Sequence, residues 1–154
     1  MTSATTLATI GYEKCGFPEF LARLQAAGIS RVIDVRDRPQ SRRAGFSKRQ
    51  LAAGLAEAGI DYVHLRALGT PPEGREANRR RQWPLFWRIV EAKLDTPEAE
   101  LALQQAAALA AERPSALLCY EADPCICHRR RVGEILAARH GFTVTDLKVH
   151  ETDR

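Results

Sequence analysis

The sequence predicts an α/β domain of three layers, a mainly parallel sheet flanked by helices on both faces. Short apolar, β-branched runs alternate with helical periodicity along the chain, and that alternation implies right-handed crossovers between parallel strands. No internal repeat and no linker interrupts it, so the 154 residues read as one domain, 1–154. The composition agrees: 45% hydrophobic and 27% charged residues are ordinary for a globular chain and argue against disorder, collagen and coiled coil. A chain of this size buries roughly 70% of its unfolded surface, so it needs neither a disulfide nor a structural metal to fold.

The first strand is Leu7-Ala8-Thr9-Ile10, stopped by Gly11. Phe17, Phe20, Leu21 and Leu24 then repeat at i, i+3, i+4 and i+7, one face of a helix that Pro18 opens and Gly28 ends. Arg31 to Val35 is a second strand, β-branched at its centre. An irregular basic stretch, Arg36 to Gly45, leads to Ser47-Lys48-Arg49-Gln50, a capping-box pattern for a helix carrying Leu51 and Leu55 and closed by Gly59. Ile60 to Leu65 alternates as a third strand.

Gly69, Pro71 and Pro72 make a loop. Glu73 to Lys93 reads as a basic helix interrupted near Pro84. Thr96 and Pro97 form an N-cap and first-position proline for an alanine-rich helix to about Glu112. Ser115 to Tyr120 is the fourth strand. A helix from about Cys127 to His140 turns Val132, Ile135 and Leu136 inward and ends at Gly141, and Phe142 to Leu147 is the last strand. The tail, Lys148 to Arg154, is polar and expected to fray.

Charge and cysteine usage narrow the function classes. Lys and Arg number 23 against 19 Asp and Glu, a net charge of +4, which favours anionic partners. Three of the four cysteines share one short segment, unlike the spread framework of a secreted disulfide protein. No apolar run is long enough to span a bilayer, and Met1 to Thr9 lacks the features of a signal peptide. A cytoplasmic protein with no membrane partner is therefore expected.

In open α/β sheets, sites gather beyond the carboxyl ends of the strands. That places attention on Gly11 to Glu13, Asp34 to Arg36, His64, and Cys119 to Arg129. The ordered set Thr9-Ile10-Gly11-Tyr12-Glu13, Asp34-Val35-Arg36, Ser41-Arg42, Leu68-Gly69-Thr70-Pro71, Cys119-Tyr120-Glu121 and Cys127-His128-Arg129 resembles domain-of-unknown-function family 488, over about Thr6 to Leu147. Its C-x-E…C-H-R signature maps onto Cys119, Glu121, Cys127, His128 and Arg129, and its D-V-R onto Asp34 and Arg36. The resemblance implies a fold and a site, and no reaction.

The residues themselves point to several chemistries. Cys119 and Glu121 stand two apart at a strand end and project to one face, as do Asp34 and Arg36. Either pair suits a site, and either also suits an ion-pair network that only fixes loops. Cys127, His128 and Arg129 open the last helix, whose unpaired N–H groups and positive end favour anions and thiolates. Cys127 or Cys119 is then a candidate nucleophile, or a small buried packing residue, and Arg129 a clamp for phosphate or carboxylate.

Cys119, Cys125, Cys127 and His128 suit zinc by residue type. The C-x-C-H spacing argues against one ion facing all of them, so no metal site is expected. A redox pair between Cys119 or Cys125 and Cys127 stays open. Rhodanese and cysteine-phosphatase loops hold cysteine and arginine six apart; the ten positions from Cys119 to Arg129 exclude that cradle. Arg36, Arg38, Arg42 and Arg43, and Arg75 and Arg79 to Arg81 beside Trp83 and Trp87, suit nucleic-acid backbone and stacking, or a solvated helix face.

The reading that results is a small enzyme acting on a phosphorylated or otherwise anionic substrate, nucleotide or nucleic acid included. Asp34, Cys119, Glu121, Cys127 and His128 are its catalytic candidates; Tyr12, Arg36, Arg42, His64 and Arg129 its substrate-binding candidates. No cofactor is named by the sequence. A non-catalytic nucleic-acid-binding accessory domain and a redox or metal-responsive thiol module are the alternatives. An anion is expected at the start of the last helix, near Arg129.

Overall fold

In a computed structural model, which describes residues 6–123 and 126–149, five short strands form one sheet. The elements in chain order are β1 (Thr6–Gly11), α1 (Phe17–Ala26), β2 (Arg31–Asp34), α2 (Lys48–Glu57) and β3 (Asp61–His64). A 3-10 turn at Arg66–Leu68 follows, then α3 (Pro72–Arg79), α4 (Trp83–Leu94), α5 (Pro97–Glu112), β4 (Ser115–Cys119), α6 (His128–His140) and β5 (Thr143–Asp146). The strand order is β3-β2-β4-β1-β5, and every pairing is parallel. The fold is thus the three-layer α/β arrangement that the alternation predicts.

Burial explains the order. Every residue of β2 and of β4 is buried, as expected for inner strands covered on both faces. The edge strands β3 and β5 are half-buried or exposed. Side chains alternate between two cores. Leu7, Ile33, Val35, Leu117 and Cys119 face α3 to α6, while Ala8, Ile10, Val32, Ala116 and Leu118 face α1 and α2.

The connection after β2 runs outward to β3. The connection after β4 runs back across β1 to β5. Two neighbouring strands whose exits diverge leave a crevice above their carboxyl ends. The register sets Asp34 beside Leu118 and Gly11 beside Cys119, so three strand ends border that crevice.

Local signals behave mostly as read. Thr96 Oγ1 accepts from the Ala99 N–H at 3.1 Å, and Gly141 closes α6 with φ of 77°. The helical break falls at residues 80–82, and Pro84 then sits in the first turn of α4. The capping box at Ser47 is a correction. The Ser47 hydroxyl makes no cap bond; it accepts from the Ser41 N–H at 3.0 Å and donates to the Ser41 carbonyl at 3.1 Å. Gln50 instead accepts from the Gly45 N–H at 3.1 Å. These side chains fasten the preceding loop, which competes with the cap for the same donors and acceptors.

No described helix is long and apolar enough to cross a membrane. The fraying expected of the tail falls largely on residues 150–154, outside the described residues, as do Met1 to Thr5, Pro124 and Cys125.

Candidate functional site

On the α1 and α2 face, the end of β2 builds a buried ion pair. Arg36 donates to Asp34 through Nε at 2.9 Å and Nη2 at 2.8 Å, and its backbone N–H adds a third bond at 3.1 Å. Tyr62 donates its hydroxyl to the same carboxylate at 2.6 Å. Arg36 Nη1 also reaches the Tyr12 hydroxyl at 3.2 Å and the Phe46 carbonyl at 2.8 Å. Burial alone would lower the Arg36 pKa; hydrogen bonds and charge from Asp34 outweigh it and raise it. Burial and the Asp34 charge push Tyr62 well above the usual phenol range. Tyr12 stacks on Phe46 and meets Tyr120 edge-on, which fixes this wall.

The end of β4 carries a different chemistry on the α6 face. Cys119 and Cys127 are joined as a disulfide, one of the redox pairs that the sequence left open, with their Cα atoms 7.5 Å apart. Arg129 Nη1 donates to Cys119 Sγ at 3.2 Å and to the Glu121 carbonyl; Nη2 donates to the Ala122 carbonyl at 3.3 Å. Arg129 is fully buried and ion-pairs with no carboxylate among the described residues, while its Nε has no partner. Burial lowers its pKa, and Asp146, Glu121 and Asp123 oppose that at a distance.

His128 Nε2 lies 2.7 Å from the Val35 carbonyl, which can only accept, so Nε2 carries the proton. Nδ1 then presents its lone pair 3.8 Å from Cys127 Sγ. Burial, against a weaker opposing pull from Val35, takes the His128 pKa down to about 4 and keeps the ring neutral. One ligand atom each from Cys119, Cys127 and His128 lies within 4.8 Å of the others. A strand end and a helix start eight residues apart face each other here, while Cys125, the fourth residue of the C-x-C-H argument, lies outside the described residues.

Both faces open on a cavity of about 670 Å³ above the carboxyl ends of β1, β2 and β4. Tyr12, Arg36, Cys119, Tyr120, Glu121 and His128 form its strand side. Thr70, Arg75, Asn78 and Arg79, on or just before α3, close the opposite wall with Phe86 of α4. Asp37, Arg38, Gln40 and Arg42 of the loop after β2 form the rim. Five arginines thus meet two carboxylates. Arg36 is spent on Asp34, Arg75 on Asp37 at 2.9 Å and Arg79 on Glu76. Arg38 and Arg42 are exposed and form no ion pair among the described residues. The Thr70 hydroxyl, on the cavity wall and buried, has no hydrogen-bond partner. Burial raises the Glu121 pKa, with Glu13 reinforcing it and Arg129 opposing.

Gly11 makes this convergence possible. A Cβ there would stand 1.7 Å from the Glu121 carbonyl oxygen and 3.0 Å from Arg129 Nη1. Only glycine lets the end of β1 lie against the chain leaving β4.

Of the residues singled out in the sequence, Tyr12, Arg36, Arg42, Cys119, Glu121 and His128 line the cavity. Asp34, His64, Cys127 and Arg129 stand behind its wall. Asp34 is fully buried with both oxygens occupied, so it acts on Arg36. His64 Nε2 bonds the Arg36 carbonyl at 2.7 Å, which holds the strand end. Arg129 gives its Nη groups to two carbonyls and a sulfur, and its Nε stays buried without a partner. Trp83 and Trp87, both half-buried, pack edge-on against Phe86.

Sequence reasoning missed Thr70, Asn78 and Asp37. Asn78 donates to the Ile126 carbonyl at 2.8 Å and so ties α3 to the segment before α6. Asp37 stands three residues beyond Asp34, and Gly69, whose Cβ would meet the Asp37 nitrogen at 2.3 Å, was the one sign that the two loops touch.

No curated protein and no solved structure matches the chain. A family model described as "Domain of unknown function DUF488" matches residues 17–136, a range that holds Asp34, Arg36, Cys119, Glu121 and the start of α6 but not the Gly11–Tyr12 turn. With most of its length matched, the chain belongs to the DUF488 family of unknown function.

Proposed function

We propose that this protein is an enzyme that binds a phosphorylated or otherwise anionic substrate in the cavity above β1, β2 and β4 and transfers a proton through Glu121. The observation that carries the reading is the charge layout of the cavity. Arg38 and Arg42 stand at its rim without counter-charges, while Arg36, Arg75 and Arg79 hold theirs internally. An anion entering there meets two unpaired guanidinium forks and the unpartnered hydroxyl of Thr70.

Glu121 supports catalysis over mere binding. Its carboxyl sits on the cavity wall with a pKa raised by burial, the direction that suits a proton-transfer group. Cys119 lies beside it, Sγ to Oε1 at 3.7 Å, and contributes a sulfur polarised by Arg129. Asp34 is a positioning residue, which holds Arg36 and through it Tyr12.

The test is a melting series in sulfate, phosphate and pyrophosphate against chloride at matched ionic strength, followed by turnover assays on phosphate esters and nucleotides. The expected result is stabilisation by the oxyanions that the Arg38→Ala/Arg42→Ala variant loses, and turnover that Glu121→Gln abolishes. No stabilisation, or an equal gain in the double variant, removes the anion reading. Stabilisation without turnover, joined to salt-dependent oligonucleotide binding, would replace it with a nucleic-acid-binding domain.

A further inference from the structure

We propose that Cys119, Cys127 and His128 form a zinc site with one coordination position open to the cavity. Once the Cys119–Cys127 bond is reduced, the donor set is two thiols and one imidazole, all buried, with ligand atoms within 4.8 Å of one another. Thiolate and imidazole together select zinc among the available divalent ions. At Zn–S of about 2.3 Å and Zn–N of about 2.05 Å, a tetrahedral ion sets sulfur and nitrogen about 3.6 Å apart. Cys127 Sγ and His128 Nδ1 are 3.8 Å apart.

The surroundings are those of a ligand shell. His128 donates Nε2–H to the Val35 carbonyl, which fixes the tautomer and aims Nδ1 at the sulfurs. A ligand histidine almost always has such a partner on its other nitrogen. Arg129 donates to Cys119 Sγ and so favours the thiolate that a metal requires.

The two sulfurs are bonded to each other in the structure, so the ion belongs to the reduced form. The Cα atoms of the two cysteines are 7.5 Å apart, beyond the usual disulfide range of about 4.4–6.8 Å. Two thiolates on one ion span a wider gap by the diameter of the ion.

Three protein ligands leave a tetrahedral ion one position short, the pattern of catalytic rather than structural zinc. Cys119 and His128 both line the cavity, and Glu121 Oε1 lies 3.7 Å from Cys119 Sγ. The open position therefore faces the substrate space, beside the Glu121 carboxyl to which the proposed function gives proton transfer. That chemical role rests on the function proposed above; the metal site does not.

The experiment is purification under reductant without chelator, elemental analysis, and titration of the metal-stripped, reduced protein with Co²⁺. One equivalent of zinc is expected, with a thiolate-to-cobalt charge-transfer band and tetrahedral ligand-field bands that saturate at one equivalent. Cys127→Ser and His128→Gln should each weaken Co²⁺ binding at least about tenfold. Arg38→Ala/Arg42→Ala should keep the metal while losing sulfate stabilisation, so failure of the anion reading and failure of the metal reading are separable. Absence of the charge-transfer band in the reduced wild-type protein overturns the proposal, whatever the variants do. So does a Cys119–Cys127 disulfide in the purified protein whose reduction gives no metal uptake.

Discussion

Neutralising Asp34 tests whether the end of β2 is a scaffold or part of the chemistry. Asp34→Asn keeps the shape and removes the charge. The side chain is 0% exposed and its partner Arg36 is 6% exposed, so water cannot replace the lost carboxylate. Arg36 would retain only neutral acceptors: the amide oxygen of the substituted side chain, the Tyr12 hydroxyl and the Phe46 carbonyl. Removing one partner from a buried pair costs about 3–5 kcal/mol. At about 2–4 °C per kcal/mol for a chain of this size, the melting point should fall by about 10 °C. Asp34→Leu/Arg36→Met removes both charges and should cost less than the two single changes together, because no buried charge is left alone. Thermal and urea unfolding of the wild type, Asp34→Asn, the double variant and its two single variants measures this directly. An unchanged midpoint in Asp34→Asn, or additive losses in the double variant, would refute the reasoning and return Asp34 to the list of groups that touch substrate.

Gly11→Ala should destabilise by about 3 kcal/mol or more, because the new methyl group meets a backbone oxygen that no rotamer can move; unfolding in urea reads it. Sulfate affinity should fall as pH rises through the Glu121 pKa, since the protonated carboxyl tolerates an anion and the carboxylate repels it, and that fall should begin above the ordinary glutamate range because burial raises the group. Calorimetric sulfate titrations across pH check this, and Glu121→Gln should flatten the profile. Cys15, 1% exposed and with its thiol pushed up to about 11 by burial, should resist iodoacetamide at pH 8 in the native state and react on unfolding, which peptide mapping resolves.

The fold was legible because its signals are local and agree with one another. Val32-Ile33 and Ala116-Leu117-Leu118 are continuous apolar runs, as strands covered on both faces must be, and Thr96-Pro97 and Gly141 punctuate helices by backbone chemistry alone. Ser47 misled because a hydroxyl has several partners of equal worth. The pattern Ser-x-x-Gln shows that a cap is available, while the loop from Ser41 to Gly45 decides whether it is used. Strand order lay beyond periodicity altogether, since β4 inserts between β1 and β2 only through contacts distant in sequence.

The site was legible as a place and illegible as a wiring diagram, and the physical cause is the period of a strand. Asp34 and Cys119 both sit at strand ends, but opposite pleats send Asp34 toward α1 and α2 and Cys119 toward α6. A polar residue at a strand end either opens on the cavity or supports a neighbour that does, and one residue of register separates the two. Arg36 lines the cavity because Asp34 is buried beneath it to balance its charge. Cys119 and His128 line it because Arg129 and Cys127 stand behind them. The same logic explains why the charges that remain for a ligand are those of Arg38 and Arg42. They lie past the end of β2, on a loop with no pleat to turn them inward and with no ion pair among the described residues, so the positive charge that the sequence shows as a diffuse basic stretch is concentrated by the fold at one rim.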